Sequence, residues 1–203
     1  MLCFRVAARS VLTWQKTNNG STASLRGRPH PPRCAAINIF PDLEAKRDIV
    51  QNAIDLFTQI GLGTPRVGIL SAVETVTPKI PSTIDAAALC KMADRGQITG
   101  GILDGPLAFD NAVSPQAAEI KGIKSAVAGH AQILVVPDLE AGNMLAKNLI
   151  FLSNADAAGI VLGARVPIVL TSRADSVRSR MASCGVAVLY AHARRTNAPL
   201  PAA

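Results

Sequence analysis

The sequence predicts an α/β fold, a mostly parallel sheet flanked by helices. Three observations carry that prediction. Strand-like apolar runs alternate with helical patterns along most of the chain. Hydrophobic residues make up 49% of it but aromatics only 3%, so the core must be built from Ala, Val, Ile and Leu, as in buried parallel strands and the helices that cover them. Finally, the apolar runs Ile133 to Val136 and Val166 to Leu170 each end in a polar turn, Pro137-Asp138 and Thr171 to Ser176, where such folds collect their chemistry.

The elements follow in order. Ile37 to Phe40 reads as a short strand ended by Pro41-Asp42. Leu43, Lys46, Ile49, Val50, Ala53, Ile54, Phe57 and Ile60 trace one face of a helix that Gly61 stops. Arg66 to Leu70 is a strand, and Ser82 with Asp85 forms a capping box for a helix ending near Gly96. Gly101 to Leu103 is a strand running into Asp104-Gly105-Pro106, which turn formation explains. Ser114-Pro115 opens a short helix that gives way at Gly122. The two apolar runs follow, then a last helix from Ser176 to about Ala193.

Three segments divide the chain: an atypical, disordered leader over 1–34, the α/β domain over 35–195, and a disordered Pro/Ala tail over 196–203. The net charge of +7 belongs to the ends. Residues 1 to 34 contribute +6 and those after Asp175 contribute +4, which leaves −3 for the body. A basic total of that origin, with so few aromatics for stacking, argues against nucleic-acid binding. The apolar stretch from Ile150 to Leu170 is interrupted by Asp156 and Arg165, so no membrane span is expected. Cys3, Cys34, Cys90 and Cys184 lack ligand spacing, which argues for reduced thiols and no metal site.

Two constellations are candidates for chemistry. In the first, Gly142 and Asn143 fall in the opening turns of a helix, whose amino end attracts anions, and Lys147 lies one turn on along the same face. The bland account is a helix start with a small residue for packing. In the second, Ser172, Arg173 and Asp175 offer a hydroxyl, a guanidinium suited to phosphate and a carboxylate able to take a proton. Here the bland account is an N-cap by Ser172 or Asp175 with Arg173 solvated. Nothing in the spacing separates the two accounts. A dinucleotide-binding enzyme is disfavoured because no G-x-G-x-x-G with its downstream acid appears.

Several long stretches closely resemble the phosphate acetyltransferase/phosphate butyryltransferase family: DGPLAFDNAVSPQAA (104 to 118), VVPDLEAGNMLAK (135 to 147), AGIVLGARVPIVLTSRADS (158 to 176) and, more weakly, INIFPDLEAKRD (37 to 48). The resemblance implies an acyltransferase that moves a short acyl group between coenzyme A and inorganic phosphate, with no cofactor beyond its CoA thioester substrate. It implies a two-lobed fold like that of isocitrate and isopropylmalate dehydrogenases, a cytoplasmic homodimer, Ser172 stabilising the transition state, and Arg173 contacting phosphate or CoA. The form Ser172-Arg173-Ala174-Asp175 looks more like the butyryltransferase branch and leaves Asp175 as the nearest base, since Ser179 stands where the acetyltransferase branch has an acid. Family members carry a further amino-terminal half, so the chain is read as a truncated form with residues 1–34 in that half's place. A mitochondrial transit segment is the other account of 1–34. The competing function is a non-catalytic dimerising or CoA-binding remnant.

Overall fold

The computed structural model describes residues 39–196 throughout, together with the strands β1 (Leu2–Val6), β2 (Arg9–Thr17) and β3 (Arg33–Cys34). Residues 1–34, expected as a disordered leader, enter the description only through these strands. The expected tail beyond Thr196 lies outside the described residues.

From there the chain alternates as the sequence predicts. Helix α1 (Leu43–Gln59) leads to β4 (Arg66–Leu70), α2 (Pro81–Asp94) and β5 (Ile102–Leu107). Two short helices, α3 (Phe109–Val113) and α4 (Pro115–Ile120), precede β6 (Ile133–Val135) and α5 (Leu139–Phe151). Strands β7 (Ile160–Leu162) and β8 (Ile168–Val169) then lead into α6 (Val177–Thr196).

The strands form one sheet in the order β5-β4-β6-β1-β2-β7-β8, with β3 beside β2. Pairs β4–β5, β4–β6 and β2–β7 are parallel, while β1–β2, β1–β6, β2–β3 and β7–β8 are antiparallel. Following these directions across the sheet, β2, β4, β5, β6 and β7 point one way and β1, β3 and β8 the other. Helices cover both faces because successive strand residues point to opposite sides. Val67, Ile69, Ile133, Val135, Ile160 and Leu162 pack with α1, α2 and α6 in one cluster. Leu107, Leu134 and Val136 pack with α3, α4 and α5 in the other.

Local sequence explains most helix starts. Asp42 accepts the Ala45 N–H at 2.8 Å, Ser114 the Ala117 N–H at 3.3 Å and Asp138 the Ala141 N–H at 2.8 Å, each a side-chain cap. The face of α1 read from the sequence is the buried one, and Lys46, only 7% exposed, pairs with Asp85 at 2.6 Å.

Four expectations are corrected. Ile37 and Asn38 lie outside the described residues, and Ile39-Phe40 is a bend rather than a strand. Ser82 and Asp85 form no capping box. Pro81 at the first position starts α2 with no N–H to satisfy, which frees Ser82 to bond Ser71 at 2.8 Å and Asp85 to take Lys46. Asp104-Gly105-Pro106 is not a turn but part of β5, an edge strand, where proline is tolerated. Gly105 suits that place because a Cβ there would lie 2.8 Å from Ile69. The strand expected over Val166 to Leu170 shrinks to the exposed pair Ile168-Val169 at the sheet edge, while the unread Ile160–Leu162 is the buried one.

Candidate functional site

Because β8 runs against β7, the turn after it does not share the carboxyl-end edge with the turn after β6. The two candidate constellations meet by another route. Helix α5 runs back along the sheet, and its flank faces the β8–α6 turn. Between them lies a cavity of about 330 Å³ whose wall includes Asn143 and Lys147 from α5, Gly159 before β7, and Thr171, Ser172 and Asp175. Asn143 and Lys147 reach one wall because residues four apart share a helix face.

The turn is held by its own polar groups. Ser172 N–H donates to Asp175 Oδ2 at 2.6 Å, Asp175 N–H to the Ser172 carbonyl at 3.1 Å, and Ala174 N–H to Ser172 Oγ at 3.3 Å. Helix α6 has a separate cap, Ser176, whose Oγ accepts the Ser179 N–H at 3.1 Å. Neither Ser172 nor Asp175 is therefore spent on starting α6, and one carboxylate oxygen of Asp175 makes no hydrogen bond among the described residues.

Deeper pins fix the turn's position. Ser183 on α6 is fully buried and its Oγ accepts the Gly159 N–H at 2.9 Å, while its hydroxyl donates to the Ser179 carbonyl at 2.7 Å. Gly159's carbonyl in turn takes the Leu170 N–H at 3.1 Å, so one serine anchors both ends of the β7–β8 hairpin. Arg178 adds an ion pair to Asp156 at 2.8 Å. Sequence reasoning missed Gly159 and Ser183. The first precedes a strand that was not read, and a serine in mid-helix carries no signal of a partner 24 residues away.

Two of the predicted residues do not line the cavity. Arg173 is exposed, adjacent to Ser172, with no hydrogen bond or ion pair among the described residues. Gly142 is buried on the inner side of α5, and its N–H is given to the Asp138 carbonyl at 3.2 Å. Ala141 N–H goes to the Asp138 carboxylate and Leu139 N–H to the Ile39 carbonyl at 3.2 Å. The start of α5 thus offers an anion few free donors and one capping carboxylate, so the helix-end argument for Gly142 fails. What remains on α5 is the side chains of Asn143 and Lys147, the latter over the Phe151 ring at 5.6 Å. Among the described residues no group of three or more His, Cys, Asp or Glu side chains could hold a metal ion, and no helix is long and apolar enough to cross a membrane.

The profile of a family described as Phosphate acetyl/butaryl transferase matches residues 34–188. The chain belongs to that family. A protein named phosphate acetyltransferase from Rhizobium meliloti is 83% identical over 161 residues, covering 79% of this chain and 51% of the relative. A phosphate butyryltransferase from Clostridium acetobutylicum is 47% identical, covering 77% and 52%. Among solved structures, a branched-chain phosphotransacylase from Enterococcus faecalis V583 superposes with a TM-score of 0.71 at 34% identity, over 80% of this chain and 59% of that one. The chain spans about half the length of the curated relatives it matches.

Proposed function

We propose that this family member acts in reversible acyl transfer between coenzyme A and inorganic phosphate, giving acyl phosphate and CoA from acyl-CoA and phosphate. The observation that carries the reading is the shared cavity, in which Asn143 and Lys147 face Ser172 and Asp175. These groups supply what the chemistry needs. Lys147, with Arg173 at the rim, offers positive charge for phosphoryl oxygens. In the direction that consumes CoA, a base must remove the thiol proton, whose ordinary pKa is about that of a cysteine, 8.5. Asp175, with one oxygen that makes no hydrogen bond among the described residues, is the nearest carboxylate for that proton. The thiolate then attacks the acyl phosphate carbonyl, the Ser172 hydroxyl donates to the developing oxyanion, and phosphate leaves with the pair of electrons of the broken C–O bond.

The branch is better read as acetyl than butyryl. The motif Ser172-Arg173-Ala174-Asp175 suggested butyryl, but 83% identity to a protein named phosphate acetyltransferase outweighs 47% to one named phosphate butyryltransferase. The same reading includes a cytoplasmic homodimer, a two-lobed arrangement like that of isocitrate and isopropylmalate dehydrogenases, and no resident cofactor.

The test is loss of acetyl-CoA thioester absorbance with and without phosphate, alongside calorimetric binding of CoA. The expected result is phosphate-dependent loss that Ser172→Ala and Asp175→Asn reduce by at least about tenfold, and CoA affinity that Arg173→Ala weakens. Turnover untouched by both variants would overturn the assigned roles. CoA binding without turnover would favour the non-catalytic, CoA-binding reading.

A further inference from the structure

A second cavity, about 380 Å³, opens between α1, the turn from β7 to β8 and the carboxyl-terminal end of α6. Tyr190 on its wall lies fourteen residues along α6 from the cap at Ser176, about 20 Å at 1.5 Å per residue. It is a separate place from the cavity at Ser172.

Its walls are of opposite character. Helix α1 contributes Asp48, Asp55 and Gln59, which share one helical stripe. Facing them stand Arg165 on the turn and Tyr190 and Arg194 on α6.

One of these groups lacks the partner that burial demands. Gln59 Oε1 is a buried acceptor with no hydrogen bond among the described residues. A native fold rarely leaves such a group empty-handed. Tyr190 lines the cavity, and its hydroxyl, which is not a fully buried atom, makes no hydrogen bond among the described residues. Asp55 accepts one bond, from Gln51 Nε2 at 2.8 Å, and burial raises its pKa even though Gln51 and the charge of Arg194 work the other way. Asp48 is already held by Arg47 at 2.7 Å. Arg194 gives one N–H to the Ala164 carbonyl at 3.1 Å, and the exposed Arg165 gives none to any described residue.

The bonding capacity left over is therefore the Arg165 guanidinium, the remaining N–H groups of Arg194, whose guanidinium also lies over the Tyr190 ring at 5.7 Å, the Tyr190 hydroxyl, the second oxygen of Asp55 and the Gln59 amide oxygen. A fitting ligand brings two anionic groups for the arginines and one multivalent N–H donor for Asp55 and Gln59. We propose that this cavity binds a small amino dicarboxylate, its ammonium toward Asp55 and Gln59 and its carboxylates toward Arg165 and Arg194, with Tyr190 bonding between the two ends. The proposal does not depend on the acyl-transfer reading.

Calorimetric titration of the full chain with L-glutamate tests it, with glutarate, which lacks the ammonium, and adenosine monophosphate as comparison ligands. L-Glutamate should bind, glutarate at least about tenfold more weakly, and Arg194→Gln and Gln59→Leu should each weaken L-glutamate by about tenfold. Tyr190→Phe keeps the packing and should weaken it severalfold with an unchanged unfolding transition. Arg173→Ala should leave it unchanged. Absence of L-glutamate binding at millimolar concentration, glutarate binding equally well, or full affinity in Arg194→Gln each overturns the proposal. Binding of adenosine monophosphate in preference to L-glutamate overturns the ligand class.

Discussion

Replacing Ser183 by alanine should loosen the candidate site without changing the identity of any residue on its wall. The side chain is fully buried and is the acceptor for the Gly159 N–H at 2.9 Å. Alanine leaves that N–H inside the protein with no acceptor, a loss of about 1 to 3 kcal/mol. The other bond, from the Ser183 hydroxyl to the Ser179 carbonyl at 2.7 Å, matters less, because that carbonyl also belongs to the ladder of α6. Alanine's better helix propensity returns roughly 0.5 kcal/mol. The net expectation is a destabilisation of about 0.5 to 2.5 kcal/mol, a factor of roughly 2 to 70 in the folded-to-unfolded ratio. Urea unfolding measures it as a lower midpoint with an unchanged slope. Gly159 also takes the Leu170 N–H just before Thr171 and Ser172, so CoA affinity should fall as well. A midpoint indistinguishable from wild type would refute the reasoning, since Gly159 would then have found another acceptor at no cost.

Cys90, whose thiol burial and the nearby Asp104 and Asp94 push up to about 12, should resist alkylation near neutral pH, while the exposed Cys184 reacts; peptide mapping after iodoacetamide separates them, and equal rates would contradict the burial of Cys90. Gly129→Ala should destabilise by more than about 2 kcal/mol, because the residue has φ +77 and its new Cβ would lie 2.6 Å from Pro115 Cα. Gly96→Ala, at φ +72 but with open space around it, should lose only about 1 kcal/mol, so the difference in unfolding midpoints isolates the clash. Burial raises the pKa of Asp55 above its unfolded value of about 3.9, so its contribution is fully present below that value and is lost as pH rises through the raised one. Asp55→Asn, which keeps an acceptor for Gln51, should flatten that loss as pH rises above the unfolded carboxylate value, and a thermal unfolding series that shows no change in pH slope would count against it.

What could be read directly from the residues was local. The apolar face of α1, the helix start at Ser114-Pro115 and the alternation of strand and helix all depend on neighbours within one or two turns, and they stand in the structure as read. The polar turn at Thr171 to Ser176 was visible too, because Ser, Arg and Asp after an apolar run are chemically conspicuous in any fold. Strand extents failed where the local pattern was ambiguous. Val166 to Leu170 is as apolar as Ile160–Leu162, yet only the latter pairs inside the sheet, with β2 on one side and β8 on the other. Burial there is a property of sheet order, which no short window contains. The fate of Ser82 and Asp85 was likewise settled by Ser71 and Lys46, brought to them from distant sequence.

The candidate site shows the same division. Residue types named the chemistry, but the direction of β8 and the lie of α5 chose which residues meet, drawing in Gly159 and Thr171 and leaving Gly142 and Arg173 off the wall. Helix-end donors that looked available from the pattern were already taken, by Asp138 and by the Ile39 carbonyl. Hydrogen bonds between groups far apart in sequence depend on chain reversals and on the angle at which helices cross the sheet. Those are fixed only when the whole core packs, because the free energy of burial is shared among all its members and belongs to no single stretch of chain.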